Sequence, residues 1–156
     1  MLKKTIKYTD YNETERTEDF YFNLTKAELN ELQLTTPGGY AGYLQKMAAE
    51  QDTPRLIGVI KDLILKAYGE KSLDGRTFIK IDASGNPVSR MFMQTEAFSN
   101  LYIELASDTD AAIKFVIGIM PKELQEKAAE LNLTDPLHSE IMQETNRIEV
   151  LSGGNI

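Results

Sequence analysis

The chain has no cysteine, no tryptophan and a single histidine, His138, among its 156 residues. Lack of cysteine excludes disulfides, thiolate nucleophiles and cysteine-based zinc or iron–sulfur sites, and it fits a cytoplasmic protein. A chain of this length buries a core without such staples. With one histidine, a Ser-His-Asp triad or an imidazole metal site would rest on one residue in a polar terminal segment, where no convergent partners are signalled, so His138 reads as a surface residue. Lack of tryptophan removes the usual sugar platform, which makes a glycosidase-type carboxylate pair unattractive among the 24 acidic residues.

Long apolar runs are missing as well. The longest, Ile113 to Met120 with Lys114 inside it, is too short to span a bilayer. The first fifteen residues begin basic but lack the apolar stretch of a signal peptide. Positive charge is in short supply: the net charge of -7 and pI near 4.8 argue against nucleic acid as a partner, because phosphate-backbone binding depends on clustered Lys and Arg. Gly38-Gly39, Gly69, Gly75 and Gly85 sit in breaks and form neither a dinucleotide nor a P-loop pattern. Asp108 and Asp110 are accounted for by helix capping rather than metal ligation, and residues 82–86, DASGN, lack the further ligands of a calcium loop. The expectation is a soluble cytoplasmic domain with no cofactor, no metal, no nucleic-acid partner and no membrane partner.

The patterning that is present predicts a mainly α domain, formally α+β, with an N-terminal two-stranded hairpin. Leu2, Ile6 and Tyr8 alternate with polar residues, as do Phe20 and Phe22 after a turn-rich stretch, giving a hairpin over residues 2–22 with one apolar face. Lys3, Lys4 and Lys7 face Glu13, Glu15, Glu18 and Asp19 in sequence, which predicts a charge-balanced pair of strands. Helices are predicted from residue 25 onward. Thr25 and Glu28 stand at capping-box spacing ahead of Leu29 and Leu32. Asp52, Thr53 and Pro54 open a helix in which Leu56, Val59, Ile60, Leu63, Ile64 and Ala67 recur, with Gly69 as its stop and a turn-forming loop beyond. A short strand is predicted at residues 78–81, a turn at 82–87, a helix carrying Phe98, Leu101 and Leu105 that starts between Val88 and Thr95, and a further helix opened by Ser107-Asp108-Thr109-Asp110. Pro121 starts a polar helix, and a last helix runs through Ile141 and Ile148. The predicted organisation is one globular domain over 1–134 and a C-terminal helical extension, frayed at its end, over 135–156.

Two faces are candidates for contact with another polypeptide. Tyr40, Tyr43 and Met47 share one helical face, and Tyr and Met are enriched at interfaces. Residues 110–120 are apolar around most of a helix circumference, so that helix is central to the core or buried against another chain. The residues selected are Tyr43, Met47, Phe115 and Ile119, with core packing as the competing account.

The ordered blocks KKTIKYTDYN, TERTEDFYFNLTKAEL, PGGYAGYLQKM, IKDLILKAYGEKSLDGRTFIK and QTEAFSNLYIELASDTDAAIKFVIGIMP resemble the tail assembly chaperones of long-tailed phages and prophages of Gram-positive bacteria. The similarity covers roughly residues 1–125, and AYGEKS-x-DGR-x-F-x-K at residues 67–80 and SDTDAA at 107–112 carry most of it. The resemblance implies a non-enzymatic assembly factor that binds the tape measure protein, keeps it soluble before the tube polymerises and helps recruit the tail tube protein, with self-association into an oligomer as a further expectation. Many members of this group are made in two lengths by ribosomal frameshifting, and the resemblance implies that this chain is the short, unshifted form. The competing account from another class is a small intracellular enzyme or ligand-binding domain with a carboxylate/tyrosine site. A structural tail component is a third account, and the helical content argues against a tube subunit.

Overall fold

A computed structural model describes residues 1–130. The elements follow in the order β1 (Leu2–Thr9), β2 (Glu15–Phe22), α1 (Lys26–Thr35), α2 (Tyr40–Ala49), α3 (Thr53–Ala67), β3 (Tyr68–Lys71), β4 (Phe78–Ile79), α4 (Ser89–Phe92), α5 (Glu96–Ser107), α6 (Thr109–Ile119) and α7 (Lys122–Glu130). The strands form one antiparallel sheet in the order β1-β2-β3-β4, with β2 interior and helices supplying the rest of the core.

The hairpin forms as the alternation predicts, in a register that sets Ile6 opposite Glu18 and Leu2 opposite Phe22. Its turn is organised by Asp10, whose carboxylate accepts the Asn12 and Thr14 amides at 2.9 and 3.0 Å while Glu13 takes the left-handed backbone at φ 61°. The charges balance across the strands, Lys3 with Asp19 and Lys7 with Glu15, although these exposed pairs are long and contribute little. Burial is what fixes the hairpin: Ile6 and Phe22 are in the core, and Tyr8 and Phe20 pack at its margin.

The capping signals also hold. Thr25 and Glu28 form a reciprocal capping box on α1, and Asp52 and Asp108 cap α3 and α6 through their side chains; Thr95, which the sequence did not single out, caps α5. Residues 82–87 form the expected turn, with Asp82 accepting the Ser84 and Asn86 amides at 2.9 Å. The undetermined helix start between Val88 and Thr95 resolves into two helices, because Thr95 caps a new one three residues after Phe92.

One expectation fails. The sequence predicts that the chain beyond α3 breaks at Gly69 into a loop, and instead it continues as β3, pairing Tyr21 with Gly69 and Phe22 with Tyr68. The N-terminal hairpin is therefore half of a four-stranded sheet, and the fold is α+β in substance as well as in form. The helix ends at Ala67, and Gly69 is buried for a different reason. A Cβ at this position would overlap Cε1 of Phe78 and lie 2.8 Å from the ring's Cδ1 and Cζ, so the absence of a side chain lets the aromatic ring close over the strand. The expected strand at 78–81 is shorter than predicted, two residues with an isolated bridge from Ile81 to Pro87.

The core is built around Phe22, fully buried, with Phe115 and Phe92 edge-on at 5.2 and 5.8 Å. Phe92 also stacks on Tyr68 at 4.1 Å, which joins α4 to β3. Ile64, Ala97, Leu101, Leu105 and Ile119 close the cluster from α3, α5 and α6. The predicted boundary after residue 134, the last helix through Ile141 and Ile148, its frayed end and His138 lie outside the described residues.

Two glycines test this account in opposite directions. Gly58 sits exposed in α3 with nothing within 4 Å of the place a methyl would take, so Gly58→Ala should raise stability by about 0.5–1 kcal/mol through the lost unfolded-state freedom. Gly69→Ala should instead lower it by about 1–3 kcal/mol by overpacking against Phe78. Urea denaturation of both variants checks the pair, and equal effects would contradict the close-approach role of Gly69.

Candidate partner-binding surface

The helices α1 and α2 form an arm that meets the rest of the molecule mainly through α3. α1 buries no residue completely; Leu32 packs against the core cluster, and polar contacts add to that anchor. The Lys80 ammonium donates to the Glu28 carboxylate at 2.6 Å and to the backbone carbonyls of Asn23 and Lys66, each at 2.8 Å, so all three of its protons are used. Burial pushes the Glu28 carboxyl up, but hydrogen bonds from Lys80 and from the Thr25 amide outweigh that and hold it below its ordinary value. Lys26 of α1 also reaches Glu123 of α7 at 2.7 Å.

The chain then turns through Gly38 and Gly39, both left-handed at φ 77° and 84°, into α2. Gln33 steadies this turn by accepting the Tyr40 amide at 2.9 Å. After α2 another left-handed residue, Gln51 at φ 52°, reverses the chain into α3, so α2 and α3 form a helical hairpin. The phenol of Tyr40 is pushed up to about 12, first by burial and then by the nearby charge of Asp62 on α3. Tyr68 is likewise pushed up to about 12 by burial and then by Glu70. Both rings therefore act as apolar bodies with a neutral hydroxyl tip.

Of the four residues singled out by sequence, Tyr43 is half-buried beside Tyr40, with ring centroids 6.3 Å apart. Met47 is 1% exposed, Phe115 4% and Ile119 0%. Phe115 packs on Phe22, and the Ile119 carbonyl accepts the Leu24 amide at 2.8 Å. Phe115 and Ile119 thus lie in the protein's own core cluster with Phe22 and Leu24, the competing core-packing account of these two residues. The periodicity of α6 marks burial, and burial alone does not say which surface provides it. The outer side of α6 keeps Ile113, Ile117 and Met120 half-buried. Sequence reasoning missed the apolar side chains that do reach solvent, Ile81 at 62% and Met91 at 72% exposure. Met91 and Met93 flank the buried Phe92 in the string RMFM, where alternation about a core aromatic was the available signal.

Small-molecule chemistry finds little to work with here. Among the described residues no group of three or more His, Cys, Asp or Glu is placed to hold a metal ion, and no helix is long and apolar enough to cross a membrane. An open hollow of about 350 Å³ lies between α3 and the β4–α4 turn, lined by Leu65, Tyr68, Ile81 and Pro87, with the Lys80 charge already engaged below it. A second, of about 420 Å³, lies where Lys4 meets Glu104 at 2.9 Å. Asp10, Asp19, Glu28 and Asp74 are all held below their ordinary values by hydrogen bonds, the opposite of a carboxyl poised to donate a proton near neutrality.

A model of the phage tail assembly chaperone family matches residues 1–152. The chain belongs to that family. No curated protein and no solved structure matches it.

The Lys80–Glu28 contact makes the chaperone's arm sensitive to acid. Because the folded-state value of Glu28 lies below its unfolded value near 4.5, the contact's contribution is full above that pH and is lost as pH falls through the lowered folded value. Glu28→Gln retains an acceptor for the Thr25 amide but removes the charge. Its deficit relative to the unsubstituted chain should be constant from pH 8 to about 5 and should shrink below about 4.5. Thermal melts across that range check it, and a deficit that grows in acid would contradict it.

Proposed function

We propose that this chaperone binds apolar helical segments of the tape measure protein and keeps them soluble during tail morphogenesis in the host cytoplasm. It is read as the short, unshifted form of its family and acts by binding, with no bond made or broken. The observation that carries the reading is the family match along nearly the whole chain. Physically, a tape measure protein presents long apolar helical stripes, and helix-in-groove packing masks them while the net charge of -7 holds the complex in solution. The tail tube protein is proposed as a second partner, and self-association as a further property.

The contact is assigned to the α2–α3 face. Tyr43 is its solvent-reaching member and Met47 its buried support, whereas Phe115 and Ile119 contribute by keeping the body rigid beneath the arm. The account based on a carboxylate/tyrosine site has weaker support, since the hollows are open and the phenols of Tyr8, Tyr11, Tyr40 and Tyr68 are all pushed away from ionisation.

Coexpression with a tape measure fragment tests this. The fragment should stay soluble with the unsubstituted chaperone and with Ile81→Glu, and should precipitate with Tyr43→Glu, while all three chaperones melt cooperatively. Phe115→Ala should lose about 3–5 kcal/mol of stability, as expected for a buried aromatic, and fail through unfolding instead. Rescue lost with Ile81→Glu and kept with Tyr43→Glu would move the contact to the α3–β4 hollow, and no rescue by the unsubstituted chain would overturn the reading.

A further inference from the structure

The turn joining β3 to β4 is tied down by hydrogen bonds and carries an apolar side chain at its tip. Within residues 72–77 the Ser72 amide donates to the Thr77 carbonyl and the Gly75 amide to the Ser72 carbonyl, each at 2.9 Å. The Asp74 carboxylate accepts the Ser72 hydroxyl and the Arg76 amide, and the Thr77 amide donates to the Ser72 hydroxyl at 3.0 Å. None of these bonds involves Leu73, whose side chain is the most exposed large apolar group among the described residues, at 110%. Lys71 and Arg76 flank it, and neither forms an ion pair among the described residues. A tip that is apolar at its centre and cationic at its sides is complementary to an apolar seat with an acidic rim. The hollow of about 420 Å³ beside β1 has that character. Leu2, Ala111 and the buried Phe115 supply its apolar lining, and the exposed Glu104, Asp108 and Asp110 stand around it. Of its two lysines, Lys4 is engaged by Glu104 at 2.9 Å, which leaves Lys114 against Asp108 and Asp110. The hollow beside Ile81 has a single acid in its lining, Asp62, set against Lys66 and Lys80.

We propose that Leu73 of one copy of this chain seats in the β1–α6 hollow of a second copy, with Lys71 and Arg76 meeting Asp108 and Asp110 at the rim. The proposal rests on the self-association reading above and deepens it by naming the two surfaces; it is separate from the tape measure contact assigned to α2 and α3. The tip and the hollow belong to different elements, the β3–β4 turn on one side and β1 with α5 and α6 on the other. Each copy therefore gives one surface and receives on the other. Such a head-to-tail contact closes into a ring or runs on as an open chain, where a two-fold contact would stop at a dimer. Burying a leucine that is otherwise wholly in water drives the contact, and the charges at its sides set its orientation.

Light scattering of the full chain after size exclusion, over a concentration series, tests this. The unsubstituted chain should gain mass as concentration rises. Leu73→Glu removes the apolar tip and Asp110→Lys reverses the rim, and each variant alone should need at least about tenfold higher concentration to associate. Both positions are exposed, so both variants should melt cooperatively and close to the unsubstituted chain. Mixed in equal amounts, the two variants should form a one-to-one pair and grow no further, because one retains its hollow and the other its tip. A mixture that stays monomeric, or association retained by either variant alone, would overturn the contact and leave self-association standing. Association lost with Ile81→Glu and kept with Asp110→Lys would place the seat in the other hollow and would likewise overturn it. An unsubstituted chain that stays monomeric throughout would overturn the contact and the self-association reading together, and the tape measure reading would still stand or fall on the coexpression test.

Discussion

Two helix ends and a strand exit meet at one point, and the fold depends on how their backbone groups are satisfied there. Helix C-termini leave carbonyls without partners, and burying them unpaired costs the desolvation of each. The strand β2 leaves the sheet through Phe22, Asn23 and Leu24. The Asn23 amide donates to the Ala67 carbonyl at the end of α3, and the Leu24 amide to the Ile119 carbonyl at the end of α6, both at 2.8 Å. Lys80 completes the set by taking the Lys66 and Asn23 carbonyls together with Glu28. Phe22 fills the space between, which is why a fully buried ring sits where three polar backbone segments converge. A side chain lost at Phe22 or Lys80 therefore leaves polar groups stranded as well as a gap.

Lys80 also explains why the region between α3 and β4 is the most distinctive stretch of the chain. Its ammonium needs three acceptors at fixed distances, and they come from residues 23, 28 and 66, so the loop through residues 72–77 must return the chain to one place. That loop is correspondingly specified: Ser72 donates to Asp74 at 2.7 Å, Asp74 accepts the Arg76 amide at 3.1 Å, and Gly75 takes φ 72°. Gly69 admits the Phe78 ring beside it. The conspicuous residues of this block are thus those that aim a lysine.

What could be read from sequence divides along the distance of the interaction. Caps and turns act within four residues, and Thr25 with Glu28, Asp52, Asp108 and Asp82 all do in space what their spacing indicates. Helix faces were legible too, since Leu63, Ile64, Ala67, Leu101 and Leu105 are buried as their periodicity requires. β3 was not legible, because four residues with a glycine carry too little alternation, and their strand conformation comes from pairing with Tyr21 and Phe22, far back in the chain. The same limit governed the candidate surface. Periodicity marked Phe115 and Ile119 as apolar, but the identity of their cover, the residues Phe22 and Leu24, is a non-local fact. Tyr43 and Met47 were legible as one face of a helix; that the face lies against α3 required the turn at Gln51.

Stability is consequently uneven across the molecule, and the unevenness follows from chemistry. The sheet with α5 and α6 shares one aromatic and aliphatic cluster, so opening any part of it exposes large apolar area. The arm formed by α1 and α2 meets that cluster through the partly buried Leu32 and Tyr40 and is otherwise tied down by the ion pairs Lys26–Glu123 and Lys80–Glu28, so its opening exposes less apolar area than opening the cluster itself.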